Sequence, residues 1–204
     1  MTVSVRSATP ADVEGLSHVL ARAFREDPLH RWIFPTDRAW MRSSHKAFAV
    51  SLRGEIGHGT VFTDRELRGA AICRDPGLGP PSIREQVGLA ASTLALLGTR
   101  SPIVFRGFRR LMALHPQERH WYLSVLGTDP EHQRKGIGEA LLRAILDRCD
   151  DTGHAAYLEA SRSENVPYYE RRGFEVVGEL RLPSGPPVWR MLYRPGGTPT
   201  EAAP

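Results

Sequence analysis

The spacing of apolar residues along the chain predicts a series of amphipathic helices. Between residues 13 and 24 apolar side chains recur at intervals of three and four, which predicts a helix with one buried stripe. Thr9 and Pro10 precede this stripe as an N-cap and a proline at the first helical position. Further helices are predicted at about 40–52, 82–97, 102–114, 136–149 and 166–172.

Strands are predicted where apolar residues alternate or run together. The segment 120–128 is an almost unbroken apolar run, which is typical of a central strand buried on both faces. The aromatic segment 25–37 between two prolines predicts an ordered loop or a broken helix. The other predicted strands lie at 3–6, 60–63, 67–73, 155–160, 174–181 and 188–193.

The composition is that of one globular domain. The chain has 204 residues, of which 41% are hydrophobic and 25% charged. We expect a single domain over 1–194 and a disordered tail over 195–204. Cys73 and Cys149 stand alone in apolar surroundings, which predicts reduced thiols in the core.

Charge and hydropathy also limit the partners. A net charge of +4 is small for 204 residues, so we do not expect nucleic acid as the main partner. The N-terminal residues show no signal or transit pattern, which predicts a cytoplasmic protein. The longest apolar run, 87–97, is too short to cross a bilayer, so no membrane partner is expected.

The segment 128–139 combines the features that an anion site needs. Gly136 and Gly138 allow close backbone approach, a predicted helix start directs free N–H groups outward, and Arg134 and Lys135 add positive charge. Pyrophosphate fits this description, although a simple basic turn would have the same pattern. Leu141 replaces the third small residue of a Rossmann fingerprint, and the Gly-Lys-Ser/Thr of a Walker A loop is missing.

A second segment narrows the choice of protein family. Residues 165–174 carry an Asn-x-x-x-Tyr-x-x-x-Gly-Phe pattern downstream of the Gln-x-x-Gly-x-Gly loop at 133–138. Together, in this order, the two patterns resemble the GNAT superfamily of acyl-CoA-dependent N-acetyltransferases over about 120–193. Within that family, the runs TDPEHQRKGIG and YLEASRSENVPYYERRGF look most like the puromycin N-acetyltransferase group, which acetylates small molecules.

The resemblance implies an α/β (α+β) fold with a central mixed, mostly antiparallel sheet of about six or seven strands flanked by helices. It also implies acetyl-CoA as the acyl donor. The pantetheine would pair with the end of the fourth strand, and the pyrophosphate would bind the amides that follow it. The residues implied in this binding are Leu126, Gly127, Thr128, Gln133, Arg134, Lys135, Gly136, Ile137, Gly138, Glu139 and Asn165.

Amide formation needs a neutral amine, whereas an alkylammonium has a pKa near 10.4, so a base must remove a proton. Glu159, on a predicted interior strand, is one candidate base, and an ion pair with an arginine is its alternative role. His120, Asp27 and His30 are rival bases. The resemblance implies that Tyr169 protonates the leaving thiolate, while packing beside Phe174 is the alternative.

The resemblance further implies that the segment between the first two helices shapes the acceptor site. We therefore expect Asp27, His30, Trp32 and Phe34 near the acceptor, although core packing would equally explain the aromatic pair. No metal-ligand motif such as His-Glu-x-x-His is present in the sequence, and no metal is expected.

The expected function is transfer of an acetyl group from acetyl-CoA to a primary amine of a small molecule, an antibiotic or a metabolite, by direct attack in a ternary complex. Two alternatives stay open. One is acetylation of protein N-termini or lysines, and the other is an inactive acyl-CoA-binding regulatory module. We expect a monomer or a homodimer.

Overall fold

A computed structural model describes residues 3–78, 92 and 94–196. Seven strands form one sheet in the order β1-β2-β3-β4-β5-β7-β6. The strands are β1 (Val5–Ser7), β2 (Val61–Asp64), β3 (Gly69–Arg74), β4 (His120–Thr128), β5 (Ala155–Ala160), β6 (Phe174–Arg181) and β7 (Pro187–Tyr193). The helices are α1 (Val13–Ala23), α2 (Pro28–Ile33), α3 (Asp37–Ile56), α4 (Ser101–Met112), α5 (Ile137–Thr152) and α6 (Val166–Glu170).

These bounds confirm most of the predicted elements. The segment predicted as a loop or broken helix contains α2, because Asp27 caps it by accepting a hydrogen bond from the His30 amide. α3 begins earlier than predicted because Thr36 accepts a hydrogen bond from the Ala39 amide. Most of the helix predicted at 82–97, and the tail from 197 onward, lie outside the described residues. None of the described helices is long and apolar enough to span a membrane.

Helices cover both faces of the sheet. α5 packs on one face, where its apolar stripe meets alternate residues of β4 and β5. α1 and α3 pack on the other face against β2 and β3, and α4 packs with α2 near the turn between β6 and β7. Cys73 and Cys149 are buried and free, and burial raises the pKa of both thiols to about 12.

One expectation for β4 is wrong. The strand is central, but it is not buried on both faces, since Ser124 is exposed and Leu126 is only half-buried. The reason is that β4 and β5, which run parallel, pair only from His120 to Leu123. Beyond Leu123 the two strands separate, and we call this opening the fork.

Candidate active site

A cleft of about 750 Å³ lies beside the fork. Its walls come from the end of α1, the end of β4, the loop and first turn of α5, and α6. Ten of the eleven residues predicted to bind acetyl-CoA lie in these walls, and Lys135 is the exception. They are Leu126, Gly127, Thr128, Gln133, Arg134, Gly136, Ile137, Gly138, Glu139 and Asn165.

The loop before α5 presents free backbone N–H groups to the cleft. Arg134 and Gly136 both have left-handed backbone conformations, with φ of 59° and 80°, and these turn the chain into the helix. Gly136 is the N-cap and has no side chain to accept from the amides of the first turn. A Cβ at Gly138 would lie 3.4 Å from Thr128 Oγ1 and 3.7 Å from Tyr168 Oη, inside the cleft.

Asp129 anchors this loop to the rest of the domain. Its carboxylate accepts hydrogen bonds from Arg22 Nε at 2.9 Å and from the Glu131 amide at 3.1 Å. Its own amide donates to the Arg68 carbonyl at 2.8 Å. Burial alone would raise the pKa of Asp129, but the hydrogen bonds from Arg22 and the Glu131 amide, together with the charge of Arg22, outweigh it and the pKa is lowered.

Lys135 does not contribute to the cleft walls. Its ammonium donates to the Glu131 carbonyl at 2.9 Å and lies 3.3 Å from His132 Nδ1. These contacts hold the side chain over the preceding turn, so the predicted pairing of Lys135 with an anion at the loop is not supported by its position. Arg134 alone of the two lies in the cleft wall.

The opposite wall comes from Tyr168 and Tyr169 of α6 and from Arg172 in the turn after it. The Arg172 guanidinium lies over the Tyr168 ring, 3.7 Å from its centre, and donates to the Tyr168 carbonyl at 2.7 Å. Tyr168 Oη is buried and has no hydrogen-bond partner among the described residues. Burial, together with Tyr168 and Asp27, raises the pKa of Tyr169, so that its hydroxyl stays protonated.

Asp27 closes one end of the cleft. It is only 5% exposed, accepts from the His30 amide at 3.0 Å, lies 2.7 Å from His30 Nδ1, and accepts from Ser161 Oγ. Burial opposes ionisation most strongly, but the hydrogen bonds from His30 and Ser161 and the charge of His30 together outweigh it, and the pKa of Asp27 is lowered. The carboxylate thus ties the start of α2 to the end of β5.

The other residues predicted near the acceptor do not line the cleft. His30 lies behind Asp27 among aromatic rings, 4.5 Å from Phe24 and 5.2 Å from Phe48 between ring centres. Trp32 is buried with α4 and donates its indole N–H to the Pro183 carbonyl. Phe34 is buried in the core beside Trp40. The core-packing alternative agrees with the positions of Trp32 and Phe34.

Glu159 lies on β5 one residue beyond Leu158, the last residue paired with β4. It is not in the wall of the cleft. Its side chain is 5% exposed and points to the sheet face opposite α5, where its Oε1 lies 3.1 Å from His115 Nε2. The rival base His120 is at the start of β4, on the same side as His115.

Asn165 takes the N-cap position of α6, but its side chain makes no capping hydrogen bond. It lies in the cleft wall. The side-chain amide of Asn165 is therefore available to hydrogen-bond a ligand, because it does not cap the helix.

Comparisons with known proteins give the family. A family model for the acetyltransferase (GNAT) domain matches residues 100–194. An uncharacterized N-acetyltransferase of Schizosaccharomyces pombe is 39% identical over 174 residues, covering 80% of this chain and 70% of the relative. The chain belongs to the GNAT family of N-acetyltransferases.

Solved GNAT structures share the whole fold. An acetyltransferase of Corynebacterium glutamicum, described as histone acetyltransferase HPA2 and related acetyltransferase, has a TM-score of 0.71 and 25% identity, and the match covers 98% of this chain and all of that one. A polyamine N-acetyltransferase of Drosophila melanogaster has a TM-score of 0.66 and 17% identity over 95% of this chain and all of that one. A shorter match, 43% over 56 residues, links the chain to a mycothiol acetyltransferase of Propionibacterium freudenreichii, covering 26% of this chain and 18% of that protein.

Sequence reasoning missed several residues of the site. Tyr168 lies on α6 and Arg172 in the turn directly after it, four residues later, and that spacing could have indicated their contact. Arg22 and Phe24 come from the end of α1, far from the loop in sequence, and no local pattern marks them.

Proposed function

We propose that this GNAT protein transfers an acetyl group from acetyl-CoA to a primary amine of a small molecule. The observation that carries the proposal is one cleft that combines the unpaired end of β4, the uncapped N-terminus of α5 and the protonated Tyr169 hydroxyl. These three features are suited, respectively, to an extended amide-bearing chain, to a pyrophosphate and to a leaving thiolate.

The first turn of α5 fits the pyrophosphate of the donor. The amides after Gly136 have no side-chain cap, and the helix dipole favours negative charge there. Arg134, which makes no hydrogen bond or ion pair with the described residues, adds a full charge. Each charge-assisted hydrogen bond is worth about 1.5–3 kcal/mol, so a few of them would anchor the donor.

The fork fits the pantetheine arm. β4 pairs with β3 from Tyr122 to Thr128, but its other edge has no strand partner beyond Leu123 among the described residues. Backbone groups on that edge are obligatory hydrogen-bonding groups that a buried ligand would have to satisfy. The buried Tyr168 Oη faces the same cleft and would be satisfied in the same way.

When bound, acetyl-CoA would supply the acetyl thioester, and the chain would supply the proton transfers. A base must take the proton from the acceptor ammonium, which must be neutral before it attacks. Glu159, the predicted base, lies in the wall of neither the cleft nor the groove described below. Tyr169 would donate its proton to the departing sulfur, a role for which its raised pKa keeps it protonated. A backbone amide near Leu126 would donate to the developing oxyanion.

A second groove supports a small acceptor. It measures about 390 Å³ and adjoins the cleft through Arg162. Trp189 supplies an aromatic wall, and Pro28, Pro186 and Pro187 supply rigid apolar ones. Pockets of about 300–1,000 Å³ suit small ligands. The Drosophila structure of the same fold belongs to an enzyme that forms N-acetylagmatine, so the fold admits small amines.

The donor site is tested by measuring coenzyme A binding by calorimetry. Gly138→Arg places a long side chain inside the cleft and is expected to abolish saturable binding. Gly54→Arg is the matched control, because a Cβ at Gly54 has nothing within 4 Å. Unchanged binding by the Gly138 variant would contradict the proposed donor site.

The reaction is tested by screening amines and peptides with detection of the released thiol. Small amines are expected to be the best acceptors, and an antibiotic such as puromycin belongs in the panel. Better turnover of peptides would favour protein acetylation, and coenzyme A binding without thiol release would favour a regulatory module. Tyr169→Phe is expected to lower turnover without weakening coenzyme A binding.

A further inference from the structure

Part of the outer surface of α4 is apolar and uncovered. Among the described residues eight large apolar side chains are exposed, and five of them lie between residues 94 and 114. Those in α4 are Phe105, Phe108 and Met112, which are 65%, 37% and 47% exposed. They follow one another at intervals of three and four, so they form one stripe along the helix. Single exposed apolar residues are ordinary, whereas a contiguous stripe indicates an interaction surface.

The stripe continues the face by which α4 packs on the domain. Val104, Gly107 and Leu111 are buried, and each directly precedes one residue of the stripe in sequence. A Cβ at Gly107 would lie 2.5 Å from Trp32 Cη2, so the helix is closely seated on the domain. The apolar face of α4 is therefore wider than the part of the domain that covers it.

Arginines border the stripe, and no carboxylate on the helix balances them. Segment 98–117 contains four arginines and no Asp or Glu. Arg100 is committed, because it donates to the Trp32 carbonyl. The guanidinium groups of Arg106, Arg109 and Arg110 are exposed and form no hydrogen bond or ion pair with the part of the chain that the structure describes. At 100° per residue, these three lie on the side of the stripe away from the buried face.

This combination of charge and apolar surface fits an anionic lipid surface. Nucleic acid would match the arginines but would leave the phenylalanines without a partner. A second copy packed symmetrically on the stripe would bring the same unpaired arginines together. A membrane offers anionic headgroups to the arginines and an apolar layer directly below to the stripe.

We propose that α4 binds the surface of membranes that contain anionic lipids. The helix lies in the plane of the membrane, with the stripe of Phe105, Phe108 and Met112 at the boundary between headgroups and acyl chains. This differs from the sequence-based expectation of no membrane partner, which considered only a segment that crosses the bilayer. The proposal goes beyond the proposed function and does not depend on it.

The charge requirement is tested by sedimenting the full chain with vesicles. We expect binding to vesicles of phosphatidylcholine and phosphatidylglycerol in equal parts, and not to phosphatidylcholine alone. High salt should weaken this binding, because it screens exposed charges. Each arginine near an anionic surface is worth about fivefold in affinity, so replacing Arg106, Arg109 and Arg110 by Gln should weaken binding about 100-fold.

Three exposed arginines of α3, Arg38, Arg42 and Arg53, provide the matched control. Replacing them by Gln changes the net charge by the same amount and should weaken binding far less. Equal losses in the two triple variants would show that net charge alone drives binding, and would overturn the proposal. So would equal binding to both kinds of vesicle, or binding to neither.

The apolar requirement is tested in the same assay. Phe105→Ser combined with Met112→Ser should weaken binding by about tenfold or more, because the apolar area no longer leaves water. Met41→Ser is the matched control, since Met41 is 68% exposed but lies on α3. All three side chains are exposed, so these variants should fold as the wild type does. A double variant that binds as Met41→Ser does would overturn the insertion of the stripe.

A label places the contact directly. Cys73 and Cys149 are buried, so a cysteine introduced at Phe105 can be labelled selectively with a dye whose emission reports polarity. The mixed vesicles should shift the emission of labelled Phe105→Cys to the blue and leave that of labelled Met41→Cys unchanged. No shift at position 105 would overturn the proposal. So would a dimer in sedimentation equilibrium that Phe105→Ser converts to a monomer, because a second copy would then cover the stripe. None of these measurements uses acetyl transfer, so an inactive protein would leave their outcome unchanged.

Discussion

Replacing Gly127 with alanine is expected to destabilise the domain. Gly127 lies near the end of β4, where the end of α1 crosses the strand. An added Cβ would lie 2.6 Å from Phe24 Cε2 and 2.9 Å from Leu20 Cδ2. These distances are well inside the roughly 3.5–4.0 Å at which carbon atoms attract, and Leu20 is fully buried and cannot move aside.

Two opposing effects determine how much Gly127→Ala changes the free energy of unfolding. Overpacking a close-packed core costs about 1–3 kcal/mol. The lower entropy of an unfolded chain with alanine in place of glycine offsets about 0.5–1 kcal/mol. Gly54→Ala in α3 is the matched control, because it lowers the entropy of the unfolded chain without overpacking the core. The two variants should therefore differ in the free energy of unfolding by about 1–3 kcal/mol.

Urea denaturation followed by circular dichroism measures this difference directly. In a chain of this size each kcal/mol corresponds to about 2–4 °C in Tm, so thermal melting provides a second measurement. Gly54→Ala should melt slightly above the wild type and Gly127→Ala below it. A Gly127 variant as stable as the Gly54 variant would refute the close packing of α1 on β4.

Three further changes test the loop and the titrating groups, each by urea denaturation. Gly136→Ala should lower the free energy of unfolding by about 1–2 kcal/mol because Gly136 has a φ of 80°. The control Gly57→Ala, at a φ of −60°, should not lower it, and equal stability of the two variants would contradict the left-handed N-cap. Asp12 forms an ion pair with Arg6 that lowers the pKa of Asp12. Its contribution to stability should therefore be lost progressively as pH falls from about 4 toward the lower pKa of the folded state, and Asp12→Asn should lose that pH dependence. Burial lowers the pKa of His45, so the unfolded state takes up the proton first and stability should fall as pH drops below about 6.5; His45→Gln should weaken this fall.

The sequence predicted the elements that local patterns determine. The intervals of three and four between the apolar residues of α1 depend on side chains that are close along the chain. The same holds for the loop between Thr128 and Gly138, where glycines, charges and the helix start are neighbours in sequence. These parts of the fold and of the cleft were therefore predictable from residues alone.

The sequence could not predict contacts that depend on distant segments. Trp32 and Phe34 were expected near the acceptor, but their burial depends on α4 and Trp40. An apolar run such as 120–128 cannot reveal that half of it faces a fork rather than a neighbouring strand. The position of His115 against Glu159 likewise requires the loop after α4 to cross β5, which no local pattern indicates.

The fork also has a mechanical consequence. Strands β1 to β4 and strands β5 to β7 form two halves of the sheet. Within the sheet, only four residue pairs between β4 and β5 connect these halves, from His120 with Ala155 to Leu123 with Leu158. A ligand that hydrogen-bonds to both β4 and β5 in the fork would couple the unfolding of these two halves of the sheet. Occupancy of the cleft should then sharpen the melting transition as well as raise its midpoint.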